Sequence, residues 1–176
     1  EGGEGAGKST QTALLVAALD RAGIPARATR EPGGSPGAEA IRQLLLEGEG
    51  ERWDAGAEAL LLVAARHDHV LRLIAPTLAQ GAWVVSDRFA DSTTVYQGYG
   101  RGLDRGLILA VHRLATGGLP PDVTILLDVS VDVGLARAIV TLPAATPQDR
   151  VAADRDESAP ARPRPGPASL RVRGAD

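Results

Sequence analysis

The chain contains no cysteine. Disulfides and thiolate metal sites are therefore excluded, which fits a reducing cytoplasm. Methionine is absent too, so the text lacks an initiator. Aromatic residues make up only 3%, with a single phenylalanine, and aliphatic side chains must fill most of any core. No apolar run approaches the roughly 18–20 residues that span a bilayer, and no signal peptide is visible. A net charge of −3 and a pI near 5.6 argue against nucleic acid as the main partner. Lysine is nearly absent as well. Of nineteen Lys and Arg residues only Lys8 is a lysine. The two cations differ most at a phosphate, where a compact ammonium and a planar fork do different work.

What remains suits one domain. The 176 residues are 44% hydrophobic, enough for a single core. Helical spacing of Leu14, Leu15, Ala18 and Leu19 predicts a helix over 9–22, stopped by Gly23. A short strand follows at 26–29, then the loop "REPGGSPG" and a short helix over 38–47. Asp54 reads as the N-cap of a long helix reaching about Gln80, with Leu60, Ala64, Leu71, Ile74 and Leu78 as its apolar stripe. A buried strand is expected at 83–86, an apolar strand at 123–129, and helices at 103–115 and from Val131. Strands alternating with helices predict a parallel sheet wrapped by helices, an α/β fold.

Beyond Thr141 the composition changes. Six of the twelve prolines lie in 143–167, and large apolar residues nearly vanish. Such a segment buries too little surface to offset chain entropy, so 142–176 is expected to be an atypical, disordered tail. It reads like a frameshifted stretch of a high-GC gene. The beginning is abrupt as well. Glu1 lies directly on a phosphate-loop pattern, and the strand that should precede it is missing.

Gly2-Gly3-Glu4-Gly5-Ala6-Gly7-Lys8-Ser9 matches G-x-x-x-x-G-K-[ST]. Glycines let several N–H groups face one anion, and the helix that follows adds its positive end. Lys8 would reach the β/γ-phosphates and Ser9 would ligate Mg²⁺. A glycine-rich turn before a helix is the plainer alternative, but it does not explain the sole lysine. Three further clusters follow: Arg30 and Glu31 after the second strand, Arg66 in the long helix, and Asp87-Arg88 past the third strand. In a parallel sheet ligands bind at the strands' carboxyl ends, where these groups would gather. Arginines facing a phosphate loop suit a second phosphate, held by forked hydrogen bonds. Taken singly, Arg66 could also lie on a solvated helix face and Asp87-Arg88 could be a strand-end ion pair. His67, His69 and His112 have no metal-site spacing and read as ordinary helix residues.

"EGGEGAGKSTQ", "REPGG", "DRF" followed by "DSTTVYQG", and "PDVTILLDV" together resemble the bacterial thymidylate kinase family over about residues 1–138. The resemblance implies a P-loop NTPase-type parallel sheet in a three-layer α/β/α arrangement, its first strand largely missing here. Residues 1–141 would form the nucleoside monophosphate kinase domain. The implied reaction is ATP + dTMP → ADP + dTDP with Mg²⁺. ATP would be bound by Gly2, Gly3, Glu4, Gly5, Ala6, Gly7, Lys8, Ser9 and Thr10. Glu4 would also hold the sugar 3′-hydroxyl of dTMP. Arg30, Arg66 and Arg88 would surround the dTMP phosphate, with Thr93 and Gln97 at the thymine edge and Tyr96 against the sugar 2′ position. Lys8, Asp87 and Arg88 would be catalytic, and Ser9 and Asp87 would serve the metal. A homodimer packed through helices is also implied. The attacking phosphate oxygen is largely deprotonated at neutral pH, since its second pKa is about 6, so no general base is needed. The protein has only to align two polyanions and offset their repulsion.

The sequence departs from the family pattern in two places within the site. Leu62 stands where an aromatic ring usually stacks on thymine, four residues before the helix arginine. The usual R-x-R lid after the fourth strand is also missing: Arg137 is followed by Ile139, and Arg150 and Arg155 are a faint echo. Two other classes stay open. A deoxynucleoside kinase would need a base, for which Glu31 is the candidate; a non-catalytic P-loop protein would need none.

Overall fold

A computed structural model of the chain describes residues 1–47, 52–141 and 169–174. Helix α1 (Lys8–Arg21) springs from the phosphate loop. Strand β1 (Ala26–Arg30) follows, then α2 (Pro36–Leu46) and α3 (Ala55–His69). A π-helical stretch (Val70–Ile74) carries α3 into α4 (Ala75–Ala79), which leads to β2 (Trp83–Asp87). After β2 come α5 (Ala90–Thr93), a second π stretch (Thr94–Gly100) and α6 (Arg105–Thr116). The last elements are β3 (Val123–Asp128), α7 (Val131–Thr141) and β4 (Ser169–Gly174).

Strands β1 and β2 pair in parallel, with Arg30 opposite Asp87 at their carboxyl ends. A parallel pair needs a crossover, and α2 to α4 supply it. Strand β3 pairs antiparallel with β4. Gly2 forms a lone parallel bridge to Leu127 of β3, so the start of the phosphate loop lies beside that second pair. This is the expected α/β arrangement with its sheet in two halves. One consequence is that β2 is half-buried, not the fully buried strand expected. Six residues of the expected structureless tail, Ser169–Gly174, form β4; their sequence alternates Leu170 and Val172 with arginines, a strand period. The rest of 142–176 lies outside the described residues.

Asp54 caps α3 as expected, accepting from the Ala57 N–H at 2.7 Å. The helix then runs on past Pro76. A proline cannot donate to the carbonyl four residues back, and the wider π turn before it carries the Ala75 N–H to Val70 O instead. The apolar stripe read from the sequence is displaced. Leu60 and Leu71 are 65% and 62% exposed, while the buried face carries Ala59, Arg66, His69, Val70, Leu73, Ile74 and Thr77. Val70, Leu73 and Ile74 form the core with Val84, Phe89 and Leu119. The shift has a cause: the inward face holds a buried arginine and histidine, which hydrophobic periodicity scores as outward. In α1 too, Leu14, Leu15 and Ala18 are exposed; of the expected stripe Leu19 is half-buried, and Thr12 and Val16 share that face. The segment 90–100, to which the sequence assigned no element, is helical.

Asp68 fastens α2 to α3. Its carboxylate accepts from the Ser35 hydroxyl and from Arg72 Nε, both at 2.6 Å. Gly37 permits the approach, since a Cβ there would lie 2.7 Å from Asp68 Oδ2. The Ser35 hydrogen bond, then Arg72, holds the Asp68 carboxyl below its ordinary range. A depressed carboxylate contributes stability above the unfolded pKa, near 3.9, and loses it as pH falls through the lower folded value. Asp68→Asn should therefore lower the melting temperature at pH 7 by about 3–6 °C, for a loss of about 1.5 kcal/mol. The gap between the two proteins should close in acid. Melting curves with the same gap at low pH would contradict this role.

Candidate functional site

The phosphate loop is built by its glycines. Gly5 has φ 65° and Gly7 φ 89°, the left-handed region, and Gly7 precedes the first turn of α1. A Cβ on Gly5 would lie 1.9 Å from Gly134 O, so the loop is pressed against the start of α7. Gly134 is reciprocal: its own Cβ would meet Glu4 O at 2.5 Å. No side chain caps α1, and its first turn holds no acid. Its leading N–H groups and positive end are thus left for an anion. Lys8 Nζ donates to Gly3 O at 2.7 Å, bending back over the loop. Burial, then repulsion from Arg88, lowers its pKa below the ordinary lysine value. Glu4 and Thr10 are exposed.

Across from the loop, Ser9 Oγ donates to Asp87 Oδ2 at 2.7 Å. This pairs the two groups expected at a metal. Both are oxygen donors, and Mg²⁺ keeps several waters and takes one or two protein ligands beside phosphates, so the pair fits such an ion. No cluster of three or more His, Asp or Glu forms a metal site among the described residues. That includes the three histidines. His67 donates from Nδ1 to Ala115 O, at 3.0 Å. Burial lowers the pKa of His112, which meets the Phe89 ring edge-on.

Arg88 has φ 72°, the only described non-glycine residue with positive φ. Strain of that kind costs about 1 kcal/mol or more and persists where the surroundings enforce it. Here Ser86 Oγ donates to Arg88 O at 2.7 Å, fixing the turn. The side chain then reaches Gly2 O at 3.4 Å and Ser92 Oγ at 3.2 Å, with Cζ 5.3 Å from the Tyr96 ring centre. Arg88 thus joins the loop to Tyr96.

The other two arginines are each paired with a carboxylate. Arg30 Nη2 donates to both oxygens of Glu39 at 3.0 Å, and Glu39 also accepts from the Gly34 N–H at 2.8 Å. The Gly34 N–H, then Arg30, keeps the Glu39 carboxyl below its ordinary range. Arg30, Glu39, Ser9, Thr12, Thr29 and Asp87 line a cavity of about 360 Å³. Arg66 is buried, not solvated. Its Nε donates to Glu31 Oε2 at 2.7 Å, and its Nη2 to Phe89 O at 3.1 Å and Thr93 Oγ1 at 2.9 Å. None of these bonds goes to the phosphate loop; they place Arg66 with Thr93, itself buried. Gln97, also buried, donates through Nε2 to Glu58 Oε1. Leu62 is half-buried. Arg137 lies exposed on α7, while Arg150 and Arg155 are outside the described residues.

Several participants escaped sequence reasoning. Glu1 accepts from the Phe89 N–H at 2.7 Å and from Ser92 Oγ at 2.6 Å. Glu39 and Gly134 carry no local signature of their roles. A glutamate five residues past the Pro-Gly-Gly run is a candidate partner for Arg30 on spacing alone.

Comparison with known proteins adds an independent line. The family model described as thymidylate kinase matches residues 1–143. The chain is 56% identical over 138 residues to the thymidylate kinase of Nitrobacter winogradskyi, covering 78% of this chain and 60% of that protein. It is 54% identical over 138 residues to that of Caulobacter vibrioides, covering 78% and 66%. It thus spans about three-fifths to two-thirds of the length of such relatives. Among solved structures, the thymidylate kinase of Ehrlichia chaffeensis is 39% identical, with a TM-score of 0.69 and 78% of each chain covered.

Because Lys8 is the sole lysine, isotope-labelled methyl groups placed on it report its titration directly by NMR. In the free protein the midpoint should lie below the ordinary lysine value. Adding ATP should raise it, because a polyphosphate favours the charged amine. A midpoint that ignores ATP would show that Lys8 does not meet the nucleotide.

Proposed function

We propose that this chain, which belongs to the thymidylate kinase family, transfers the γ-phosphoryl group of ATP to the phosphate of dTMP, forming ADP and dTDP. The observation that carries this reading is Arg88, twisted into the left-handed region so that its guanidinium bridges the phosphate loop and Tyr96. A cation in that position joins two anion sites.

In the proposed reaction an oxygen of the dTMP phosphate attacks the γ-phosphorus. The bond from that phosphorus to the β–γ bridging oxygen breaks, and ADP leaves with the electron pair. The loop N–H groups, the start of α1 and Lys8 hold the ATP phosphates. When ATP binds, Lys8 exchanges Gly3 O for phosphate oxygens. Mg²⁺, held by Ser9 and Asp87 directly or through water, would offset charge on the ATP phosphates. Arg88 draws the acceptor phosphate into line, and Arg30 joins it once released from Glu39. Arg66 belongs with Thr93 and Gln97 at the base, because its Nη2 is committed to Thr93. Glu4 is the ligand of the sugar 3′-hydroxyl and Tyr96 packs against the 2′ position. Catalysis is alignment and charge compensation throughout.

The deoxynucleoside kinase reading loses its base. Both Glu31 oxygens are engaged, one by Arg66 and one by His69, and the residue is buried. The same proposal places the protein in the cytoplasm as a homodimer. Support for pairing lies in two exposed leucines, Leu60 of α3 and Leu71 of the π-helical stretch that follows it. No helix among the described residues is long and apolar enough to cross a membrane.

An acceptor panel tests the reading. With ATP and Mg²⁺, dTMP should drive ADP release more strongly than dUMP, CMP or thymidine. Lys8→Ala should cut dTMP-dependent turnover about 10²-fold or more while the protein stays folded. Preference for thymidine, or no response to any acceptor, would overturn the assignment.

A further inference from the structure

His69 has no place in phosphoryl transfer, yet it is fully buried, the only large side chain so enclosed among the described residues. An imidazole removed from water is costly unless both nitrogens find partners. Here both do. Nδ1 lies 3.1 Å from Glu31 Oε1 and Nε2 lies 2.7 Å from Thr29 Oγ1. An ionised carboxylate only accepts, so Nδ1 carries the hydrogen. The Thr29 hydroxyl can donate to Nε2 or accept from it.

The loop after β1 is shaped around this ring. A Cβ on Gly34 would lie 2.4 Å from His69 Nε2 and 2.4 Å from Thr29 Oγ1. Gly34 has φ 89°, so glycine is required there by both space and backbone. Glu31 is consequently clamped by α3 from two sides, His69 on Oε1 and Arg66 on Oε2. The clamp in turn fixes Arg66. With Nε held by Glu31 and Nη2 by Phe89 O and Thr93 Oγ1, a planar guanidinium has no rotation left. Its Cζ also lies 5.2 Å from the Phe89 ring centre. Only Nη1 remains: it is buried and has no hydrogen-bond partner among the described residues. An unpaired buried donor on a charged group is costly, and such groups ordinarily have a use.

We propose that His69 is a positioning residue for acceptor binding: through Glu31 it locks Arg66 so that the unpartnered Nη1 donates to an oxygen of the acceptor nucleotide. The identity of that nucleotide, dTMP, rests on the function proposed above. The clamp itself does not.

Two substitutions separate a directional role from a merely structural one. The amide of His69→Asn lies near the position of Nδ1 and can still donate to Glu31. The amide of His69→Gln lies near that of Nε2 and serves Thr29 instead. Both are polar and similar in bulk. On the full chain, calorimetry would give the affinities for dTMP and, as an internal control, for ATP. Hydrogen exchange of the Arg66 Nε–H would be followed by NMR. His69→Asn should bind dTMP within about threefold of the original, with Arg66 still protected. His69→Gln should bind dTMP about tenfold more weakly, with ATP affinity unchanged and Arg66 protection lost. Equal dTMP affinities in the two variants, or parallel losses for dTMP and ATP, would overturn the proposal. If the original protein takes up no dTMP, the acceptor reading falls and the exchange data alone judge the clamp. Protection lost in the glutamine variant and kept in the asparagine variant would uphold it; protection kept in both would refute it.

Discussion

The two halves of this sheet meet through Glu1 and Gly2. Their backbone pairs with β3, the Glu1 N–H donating to Ile125 O at 2.8 Å and Leu127 N–H donating to Glu1 O at 2.9 Å. The Glu1 carboxylate meanwhile takes the Phe89 N–H and the Ser92 hydroxyl, both just beyond β2. One residue therefore holds the end of β2 against β3. The phosphate loop begins immediately afterwards, so its distance from Asp87 and Arg88 is set by this contact. Gly2 completes it: a Cβ there would lie 2.6 Å from Leu127 O. The glycine that opens the phosphate-loop motif is thus required by strand packing, independently of any anion.

On the proposed reading charge would be handled by exchange. Each cation expected at the site rests on an internal oxygen: Lys8 on Gly3 O, Arg88 on Gly2 O and Ser92, Arg30 on Glu39, Arg66 on Glu31. The contacts differ in strength. Neutral carbonyls and a hydroxyl yield readily to phosphate, whereas the buried Arg66–Glu31 pair, at 2.7 Å, does not. The Arg30–Glu39 pair lies between, because both side chains are partly exposed and solvent weakens the attraction. Three arginines that look equivalent in the sequence are thereby sorted by their carboxylate partners. One is buried with its carboxylate, one is partly exposed with its own, and one is bonded to neutral oxygens.

The sequence alone determined the parts whose signals are local. The P-loop glycines, Lys8 and Ser9, the Asp54 cap, the parallel β1–β2 pair and most helices follow from spacing, capping and backbone freedom among near neighbours. The gathering of Ser9 and Asp87 at the strand ends was also legible, because parallel topology forces it. Tertiary structure alone decided which face of α3 turned inward and which partner each arginine took. Arg66 and His69 are polar, so periodicity assigns them to solvent; they are buried because a glutamate 35 residues from Arg66 meets both. Hydrogen bonds between distant residues leave no period in the chain. They form only after the strands fix which loops are neighbours, and that is why the sequence named the candidate residues but not the arrangement of charges among them.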